Sequence, residues 1–409
     1  MLACIRCGAC LTSCPTYVLS LEEAEGPRGR VGMARAVAEG HPALTPDLLR
    51  HEMNCLVCDA CTAVCPAGVH MDPLQVVFRG AVSETRRLSR VAQIVRAVVF
   101  GWLFMDMRRF RAFARAMWLY QRSGMRWLAR HLGILRAMHL AEAEQLLPAI
   151  PRSFVTPRGE TYPSQSDTQT PVAFFAGCIM ATALADVDRA TIRVLQRSGC
   201  SVSNPSRQGC CGALHAHGGD LPRALELAKR NIEAFEAVDG PIVVNSAGCG
   251  AMLKDYAHHL RNDPAWSARA RDFSERVRDL SQVVTPAALE PRHAIPQKVV
   301  YQDACHLIHA QRISRQPRAL LAAIPGVELV EIDEAGLCCG SAGVYNVTNP
   351  VESKQLQQRK VDNALKVTPD LIVTGNPGCL LQLRSGLSAR ASDIPVKHLA
   401  EVLDEASAP

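Results

Sequence analysis

Short apolar runs alternate with amphipathic helical segments through the C-terminal part of the chain. Four of the runs have the length and composition of buried strands: Val172–Phe175, Ile242–Val244, Val299–Tyr301 and Leu371–Val373. Segments with helical periodicity lie between them, such as Leu221–Val238 and Val351–Leu365. This alternation predicts two α/β lobes, in which the residues that follow the strands gather at one edge of each sheet.

The longest uninterrupted apolar stretch near the middle of the chain, Val98–Met105, is far shorter than the roughly 18–20 residues of a membrane-spanning helix. The chain has 409 residues, 48% hydrophobic and 21% charged, which is enough for two or three domains with their own cores. Its formal net charge of +6 is too small and too unevenly spread to indicate nucleic-acid binding. We therefore expect a globular protein without nucleic-acid partners.

Seventeen cysteines change this picture. No charged-then-apolar leader precedes them, so we expect metal or redox chemistry in a reducing compartment, by default the cytoplasm, rather than a secreted disulfide framework. Cys4 lies three residues from Met1, and so little flanking chain suggests that the natural start is further upstream.

Eight of the cysteines form two copies of the run C-x2-C-x2-C-x3-C-P, from Cys4 to Pro15 and from Cys55 to Pro66. This run is the bacterial ferredoxin signature, in which thiolates hold a [4Fe–4S] cluster and the cysteine before proline ligates the other cluster. We therefore predict two iron clusters with crossed ligation, held by these two sets: Cys4, Cys7, Cys10 and Cys65; Cys55, Cys58, Cys61 and Cys14. Two zinc sites are the alternative, although zinc usually takes separated C-x2-C pairs.

Eight more cysteines form a second duplication, one copy in each predicted lobe. The copies are Cys178, Cys210-Cys211-Gly212 and Cys249, then Cys305, Cys338-Cys339-Gly340 and Cys379. The first cysteine is separated from the pair by 31 and 32 residues, and the pair from the last cysteine by 37 and 39. Each set is a candidate for a further iron–sulfur cluster, for zinc, for a redox dithiol, or for inert buried cysteine. Adjacent cysteines seldom pair with each other, which favours a cofactor.

Two residues near these patterns have simpler interpretations. Cys200 falls outside both duplications, after an amphipathic helix, and is predicted to pack in the core. His306 follows Cys305 at a predicted strand end, where it is a candidate for a ligand, a proton relay or a hydrogen-bonded structural histidine.

The segment between Arg86 and Arg136 is strongly basic. It has twelve arginines against one acidic residue, Asp106, and aromatic side chains are interleaved among them: Trp102, Phe104, Phe110, Phe113, Trp118 and Trp127. A basic amphipathic segment suits an anionic membrane surface, here the inner face of the cell membrane. The alternative is packing against partner subunits or the protein's own lobes.

These features predict a multidomain protein of α+β and α/β class. Its parts are a mostly helical two-cluster ferredoxin-like domain, a basic helical segment, a linker rich in Pro, Ser and Thr, and two duplicated cysteine-rich lobes. Their predicted ranges are residues 1–83, 84–147, 148–170, 171–290 and 291–409.

The double C…CCG…C pattern resembles the cysteine-rich domain of heterodisulfide reductases, of the anaerobic glycerol-3-phosphate dehydrogenase C subunit and of iron–sulfur subunits of glycolate and lactate oxidases. Over nearly the whole chain, the sequence is similar to the iron–sulfur subunit of glycolate oxidase (glycolate dehydrogenase). Four motifs carry the resemblance: Cys14-Pro15-Thr16-Tyr17, Gly26-Pro27-Arg28-Gly29-Arg30, Gly209-Cys210-Cys211-Gly212-Ala213 and Leu337-Cys338-Cys339-Gly340-Ser341-Ala342-Gly343. Taken alone, the Gly-Pro-Arg-Gly-Arg segment is predicted to be a tight turn. Its two arginines are expected either in a solvated loop, or near an anionic cluster, or at a subunit contact.

The resemblance implies an electron-transfer subunit with no catalytic residues and no flavin of its own. FAD-binding glycolate oxidase subunits would remove electrons from glycolate, and this chain would pass them to a membrane quinone or another acceptor. The sequence has no Gly-x-Gly-x-x-Gly after a strand and no phosphate-binding loop, which agrees with a flavoprotein partner.

Two other functions stay open at this point. The same cysteine pattern serves related subunits that act on lactate or glycerol 3-phosphate. A thiol–disulfide enzyme like heterodisulfide reductase is the other alternative, but Met252 and Gln382 stand where its fifth cysteine would be.

Overall fold

The N-terminal module is helical. The computed structural model describes residues 1–41, 45–85, 89–133, 135, 144 and 147–409. The module's helices are α1 (Pro15–Ser20), α2 (Pro27–Ala38), α3 (Pro46–Met53), α4 (Ala60–Val64) and α5 (Met71–Thr85), with a 3₁₀ turn at Glu23–Glu25. Proline begins the first three, where its missing N–H is not needed and its fixed φ suits a helix.

The basic segment continues as helices along the first lobe. They are α6 (Arg90–Arg96), a π-helical stretch (Ala97–Leu103), α7 (Met107–Arg122) and α8 (Met125–His131). Leu103 and Phe110 are buried against Leu227 of the lobe. Arg86, Arg87 and Arg136 of this segment lie outside the described residues. No helix in the described ranges is long and apolar enough to cross a membrane.

The first lobe is built on a five-stranded sheet with the order β1-β3-β2-β4-β5. Its strands are β1 (Glu160–Tyr162), β2 (Thr170–Phe175), β3 (Cys200–Asn204), β4 (Ile242–Val244) and β5 (Val277–Asp279). Strand β1 pairs antiparallel with β3, and the other pairings are parallel. Strand β1 comes from the segment 148–170, where the sequence predicts a linker.

The helices of the first lobe cover both faces of its sheet. They are α9 (Ile179–Thr182), α10 (Ala185–Arg197), α11 (Ala213–His217), α12 (Leu221–Phe235), α13 (Ala247–His259), α14 (Ser267–Arg276), α15 (Leu280–Val283) and α16 (Pro286–Leu289). Helix α12 ends three residues before the predicted end at Val238.

The second lobe repeats the plan with a parallel four-stranded sheet, β7-β6-β8-β9. Its strands are β6 (Lys298–Gln302), β7 (Glu328–Val330), β8 (Leu371–Thr374) and β9 (Val396–His398). Its helices are a π-helical turn (His306–Ala310), α17 (Arg315–Ala322), α18 (Tyr345–Thr348), α19 (Pro350–Leu365), α20 (Pro377–Ala389) and α21 (Leu399–Ser407). All four predicted strands are therefore present, in two α/β lobes.

The two lobes are joined through one hydrophobic core. Phe174 of the first sheet and Val300 of the second belong to the same buried cluster. The C-terminal helix α21 packs against α10, where Asp404 pairs with Arg193 at 2.5 Å and Arg197 at 2.8 Å. His398 Nε2 lies 2.8 Å from the carbonyl oxygen of Asn245 in the other lobe. Burial of this shared surface fixes how the cysteines of the two lobes face each other.

Candidate iron–sulfur sites

The two ferredoxin-type loops have the same backbone shape. Arg6 and Val57, each two residues after the first cysteine of a loop, have φ of 58° and 51°. Gly8 and Asp59, two residues further on, have φ of 84° and 58°. A left-handed conformation is costly for a β-branched residue such as Val57, and here its buried side chain holds it in place. The sequence duplication is thus a structural one.

Crossed ligation predicts two groups of thiols, and the structure brings the inner one together. One small cavity is lined by Cys14, Cys55, Cys58 and Cys61. In the other group, burial raises the pKa of the Cys10 thiol, as do the neighbouring thiols of Cys65 and Cys4. Cys7 of that group is exposed at the surface. This grouping agrees with crossed ligation, which stays a prediction for the individual residues.

Arg30 of the Gly-Pro-Arg-Gly-Arg segment is buried beside the inner group. Its Nη2 donates to Glu25 at 2.7 Å, its Nη1 to Thr16 Oγ1 at 3.0 Å, and Nη1 lies 3.9 Å from Cys14 Sγ. It also lines the small cavity. A buried guanidinium next to four thiols offsets the negative charge of a thiolate-ligated cluster. For Arg30 the solvated-loop interpretation is therefore wrong, and its position beside Cys14 agrees with the near-cluster interpretation.

The rest of that segment has a backbone role. Arg28 is paired with Glu23 at 2.7 Å and donates to the carbonyl oxygen of Arg6 at 3.1 Å, inside the first cysteine loop. At Gly29, a Cβ would lie 2.0 Å from the carbonyl oxygen of Glu23. Only glycine allows the start of α2 to approach the chain this closely.

In each lobe the four duplicated cysteines form a chain of contacting thiols, all buried except Cys249, which is half-buried. The Sγ atoms of Cys178 and Cys210 are 3.8 Å apart, and those of Cys305 and Cys338 are 3.9 Å apart. Contacts then run from Cys210 through Cys211 to Cys249, and from Cys338 through Cys339 to Cys379. None of the seventeen cysteines, all of which lie in the described ranges, forms a disulfide. The structure thus brings together all eight residues predicted from the second duplication.

The glycine of each CCG triplet turns the chain behind the thiols. Gly212 and Gly340 have φ of 87° and 85°. A Cβ on Gly340 would lie 2.5 Å from the carbonyl oxygen of Ser353 in α19. Positive φ and close helix packing together explain why the third residue of the triplet is glycine.

The contacts between these thiols shift their pKa values in a way that suits a cofactor with several positive charges. Contact with Cys305 raises the pKa of Cys338, and the same contact lowers the pKa of Cys305. In the first lobe, contact with Cys178 lowers the pKa of Cys210. Neighbouring thiols in such a chain cannot all ionise unless a cation neutralises them. An iron–sulfur core supplies that charge and accepts or releases one electron at a time.

His306 stands beside the thiols of the second lobe. Its Nδ1 lies 3.7 Å from Cys305 Sγ, and its ring stacks on His217 at 5.7 Å. Burial alone would lower the pKa of His306, but the adjacent Cys305 raises it to about 9. Cys200 lies in the shared core as predicted, and Met252 and Gln382 are buried by packing.

Cysteines of different domains lie in shared buried clusters. Cys58 of the ferredoxin-like module lies in one apolar cluster with Cys305 and Cys338 of the second lobe. Cys339 and Cys379 pack with Ala247, which begins the helix that carries Cys249 of the first lobe. The inner ferredoxin-type site and both lobes therefore meet at the centre of the molecule.

Comparison with known proteins identifies the N-terminal module, the basic segment and both lobes. Residues 3–69 match the 4Fe-4S dicluster domain, residues 91–147 match the linker region of the glycolate oxidase iron-sulfur subunit, and residues 172–254 and 299–384 each match the cysteine-rich domain CCG. A probable glycolate oxidase iron-sulfur subunit of Bacillus subtilis is 40% identical over 100% of this chain and 94% of that protein. The Escherichia coli glycolate oxidase iron-sulfur subunit is 30% identical over 99% of this chain and 93% of its own length. The chain belongs to the glycolate oxidase iron–sulfur subunit family.

Members of a second group are similar over part of the chain. Lactate utilization protein A of Exiguobacterium is 31% identical over 57% of this chain and 97% of that protein. Membership of the glycolate oxidase iron–sulfur subunit family makes iron–sulfur clusters the cofactors of this chain, as the sequence predicts.

The sequence analysis did not predict the cationic and amide side chains that surround these cysteine sites. Arg79 is buried in α5, donates to the carbonyl oxygen of Cys55 at 2.6 Å and to that of His217 at 2.8 Å, and so ties the inner loop to the first lobe. Asn376 Nδ2 lies 3.5 Å from Cys379 Sγ. A charged residue on the apolar face of a helix, as Arg79 is, was the one available signal.

Proposed function

We propose that this chain is the electron-transfer subunit of a flavin-dependent glycolate dehydrogenase. FAD-binding partner subunits oxidise glycolate, and the chain carries the electrons to a quinone or another acceptor. The full-length similarity to two glycolate oxidase iron–sulfur subunits supports the donor. The proposed ligands are the two crossed sets of the N-terminal module and the four cysteines of each lobe.

One observation carries the proposal: Cys58 belongs to the same buried cluster as Cys305 and Cys338 of the second lobe. A ferredoxin-type site that only served a soluble partner would not need to lie beside a second cysteine site. Closely spaced, separately ligated centres suit a relay of single electrons, because an electron must leave one centre for the next.

The outer thiol group is the proposed entry point for electrons. Cys7 is exposed, and the apolar Leu2 and Ile5 beside it are also exposed, Ile5 by 69%. Apolar side chains around an exposed redox site favour docking of a partner protein. We assign this surface to the flavin-bearing subunit.

The test is anaerobic co-purification of the chain with its partner subunits. Iron and sulfide are counted, and paramagnetic resonance spectra are recorded before and after glycolate is added. We expect glycolate to reduce the clusters of the N-terminal module. Clusters that lactate reduces and glycolate does not would replace the substrate with lactate, the second candidate, which the similarity to lactate utilization protein A favours.

We also propose a peripheral contact between the basic segment and an anionic membrane surface. The π-helical stretch and α7 pack Leu103 and Phe110 against the first lobe, while large apolar side chains along α6 to α8 are exposed: Val91, Ile94, Val98, Trp102, Phe113, Leu119, Trp127 and Leu128. The excess of arginine over acidic residues supplies complementary charge.

A further inference from the structure

Lysine and arginine side chains are seldom buried in the described part of the chain, and those that are buried lie at cysteine sites. Three are buried in these ranges: Arg30, Arg79 and Lys360. Arg30 and Arg79 adjoin the inner ferredoxin-type site, whereas Lys360 lies on α19 of the second lobe. The described part of the first lobe buries no lysine or arginine. The duplicated lobes therefore differ in buried charge.

Lys360 reaches the backbone that leads into the CCG triplet of its lobe. Its Nζ donates to the carbonyl oxygens of Glu334 at 2.5 Å and Ala335 at 2.9 Å. Burial lowers the pKa of Lys360, and the nearby thiols of the triplet and of Cys379 oppose that shift. Once these sulfurs ligate a metal they are anionic, and together with the two carbonyl acceptors they favour the ammonium form.

In the first lobe, a neutral amide holds the corresponding backbone. Asn231 of α12 and Lys360 of α19 follow the second cysteine of their CCG pair by 20 and 21 residues. Asn231 Oδ1 accepts from the backbone N–H of Gly209 at 2.8 Å, and Nδ2 donates to the carbonyl oxygen of Cys210 at 2.9 Å. An amide supports the backbone as lysine does but carries no charge.

Other ionisable groups near the two sites do not cancel this difference. In the second lobe, Asp303 is paired with Arg318 at 2.7 Å, and any charge on His306 has the same sign as that of Lys360. In the first lobe, burial raises the pKa of Asp188, and that carboxyl is positive in neither protonation state. The ring of His215 has a carbonyl partner at Nε2, and a proton on its buried Nδ1 would find no acceptor among the described residues, so the ring is neutral.

The second lobe is also the lobe that shares buried surface with the inner ferredoxin-type site. Cys305 and Cys338 lie in one cluster with Cys58 of that site. Cys178 and Cys210 of the first lobe pack instead against the basic segment. An electron that leaves the inner site therefore meets the second lobe first.

We infer that Lys360 makes the second lobe accept electrons ahead of the first lobe. The inference rests on the proposed function, which assigns a cluster to each lobe. A cluster that takes up an electron gains one negative charge, and a buried cation nearby stabilises that charge. One electron leaves the inner site, which is oxidised, and the second-lobe site is reduced, with no bond or proton changed. Lys360 is a positioning residue in this step, because it acts on the site through the electric field.

The first test is a potentiometric titration of the cluster-loaded complex with dithionite, followed by paramagnetic resonance. Loss of signal in Cys305→Ser and in Cys178→Ser assigns the spectra of the second and first lobes. We expect the equilibrium constant for reduction to be at least tenfold larger in the second lobe, which is 59 mV for one electron. Equal potentials, a higher potential in the first lobe, or a second lobe without a cluster would overturn the inference.

The second test changes the charge and keeps a donor for the two carbonyl oxygens. Lys360→Gln should lower the equilibrium constant for reduction of the second lobe at least tenfold and leave the first lobe unchanged. Lys360→Arg, which keeps the charge, should stay close to the unmodified protein. Lys354→Gln, at an exposed lysine on the same helix, is the matched control.

Iron and sulfide are counted in every variant. An unchanged potential in Lys360→Gln, or equal shifts in Lys360→Gln and Lys360→Arg, would show that the charge of Lys360 does not act on the site. Both titrations use dithionite and need no glycolate. Failure of glycolate to reduce the clusters would therefore refute the proposed function and leave the order of the two lobes standing.

Discussion

Cys14 and Cys65 are the two residues that separate crossed from uncrossed ligation. We expect Cys14→Ser to remove the cluster shared with Cys55, Cys58 and Cys61, because serine is a poor ligand for iron in a cubane. Cys65→Ser should remove the outer cluster instead. Iron analysis and paramagnetic resonance of each variant measure the loss.

The control is Cys200→Ser, since Cys200 lies in the core away from both groups and should keep all its iron. The crossed assignment fails if Cys14→Ser and Cys4→Ser lose the same cluster.

Gly340 gives a stability prediction at the same scale. Gly340→Ala should lower the free energy of unfolding by roughly 1–3 kcal/mol, because alanine is strained at φ of 85° and its Cβ would overlap the carbonyl oxygen of Ser353. Denaturant titration of the cluster-loaded chain measures the change.

Gly32→Ala serves for comparison. Gly32 lies in α2 with no atom within 4 Å of an added Cβ, so the change should stabilise the protein by up to about 1 kcal/mol. Equal effects at the two positions would show that the backbone conformation at Gly340 does not matter.

Some residue roles could be predicted from the sequence and others could not. Cysteine spacing within a loop is local, so the ferredoxin-type run and the CCG triplets predicted which thiols come together. Arg30 and Arg79 depend on burial between segments far apart in the chain, and no local pattern reports burial of a cation.

At the scale of elements, the basic helices carry a prediction about membranes. We expect Arg108→Glu, Arg115→Glu and Arg122→Glu together to weaken binding to anionic vesicles by at least about a hundredfold, because each lost arginine contributes roughly 1 kcal/mol and the new carboxylates are repelled. All three side chains are exposed on α7. Flotation of the full chain with vesicles measures binding.

The same triple reversal on the first lobe, at Arg261, Arg271 and Arg278, is the matched control, because those exposed residues lie off the basic helices. If both triple variants bind alike, or if the unmodified chain ignores the vesicle charge, the membrane contact is refuted and a partner protein covers these helices.

Element prediction succeeded where burial was strongest. The central strands β2, β4, β6 and β8 are continuous apolar runs because helices cover both faces. Strand β1 was missed because a three-residue edge strand in a Pro- and Ser-rich segment has too few buried positions to set a period. Its pairing depends on β3, which lies about forty residues away.

At the scale of the whole molecule, His398, which lies at the contact between the lobes, makes the free energy of unfolding depend on pH. Burial lowers the pKa of His398 to about 4, from an ordinary value of 6.5. The unfolded chain binds this proton below pH 6.5 and the folded chain does not, so stability should fall as pH falls from 6.5 to 4. The loss reaches about 3 kcal/mol at 1.36 kcal/mol per pH unit.

Unfolding free energies measured across this range test the idea. His398→Gln should reduce the slope by one proton, whatever its effect on stability at neutral pH. His293→Gln, at an exposed histidine, should keep the slope of the unmodified protein. An unchanged slope in His398→Gln would assign the acid sensitivity elsewhere.

The exposure of Cys7, set against the burial of Cys58, also bears on how the protein fails in air. Dioxygen reaches the surface centre by diffusion alone, whereas the inner centre is covered by the second lobe. Oxidative damage should therefore begin at the outer cluster and disconnect the flavoprotein first. A chain handled aerobically would then keep its inner centres intact and still appear inactive with its natural donor.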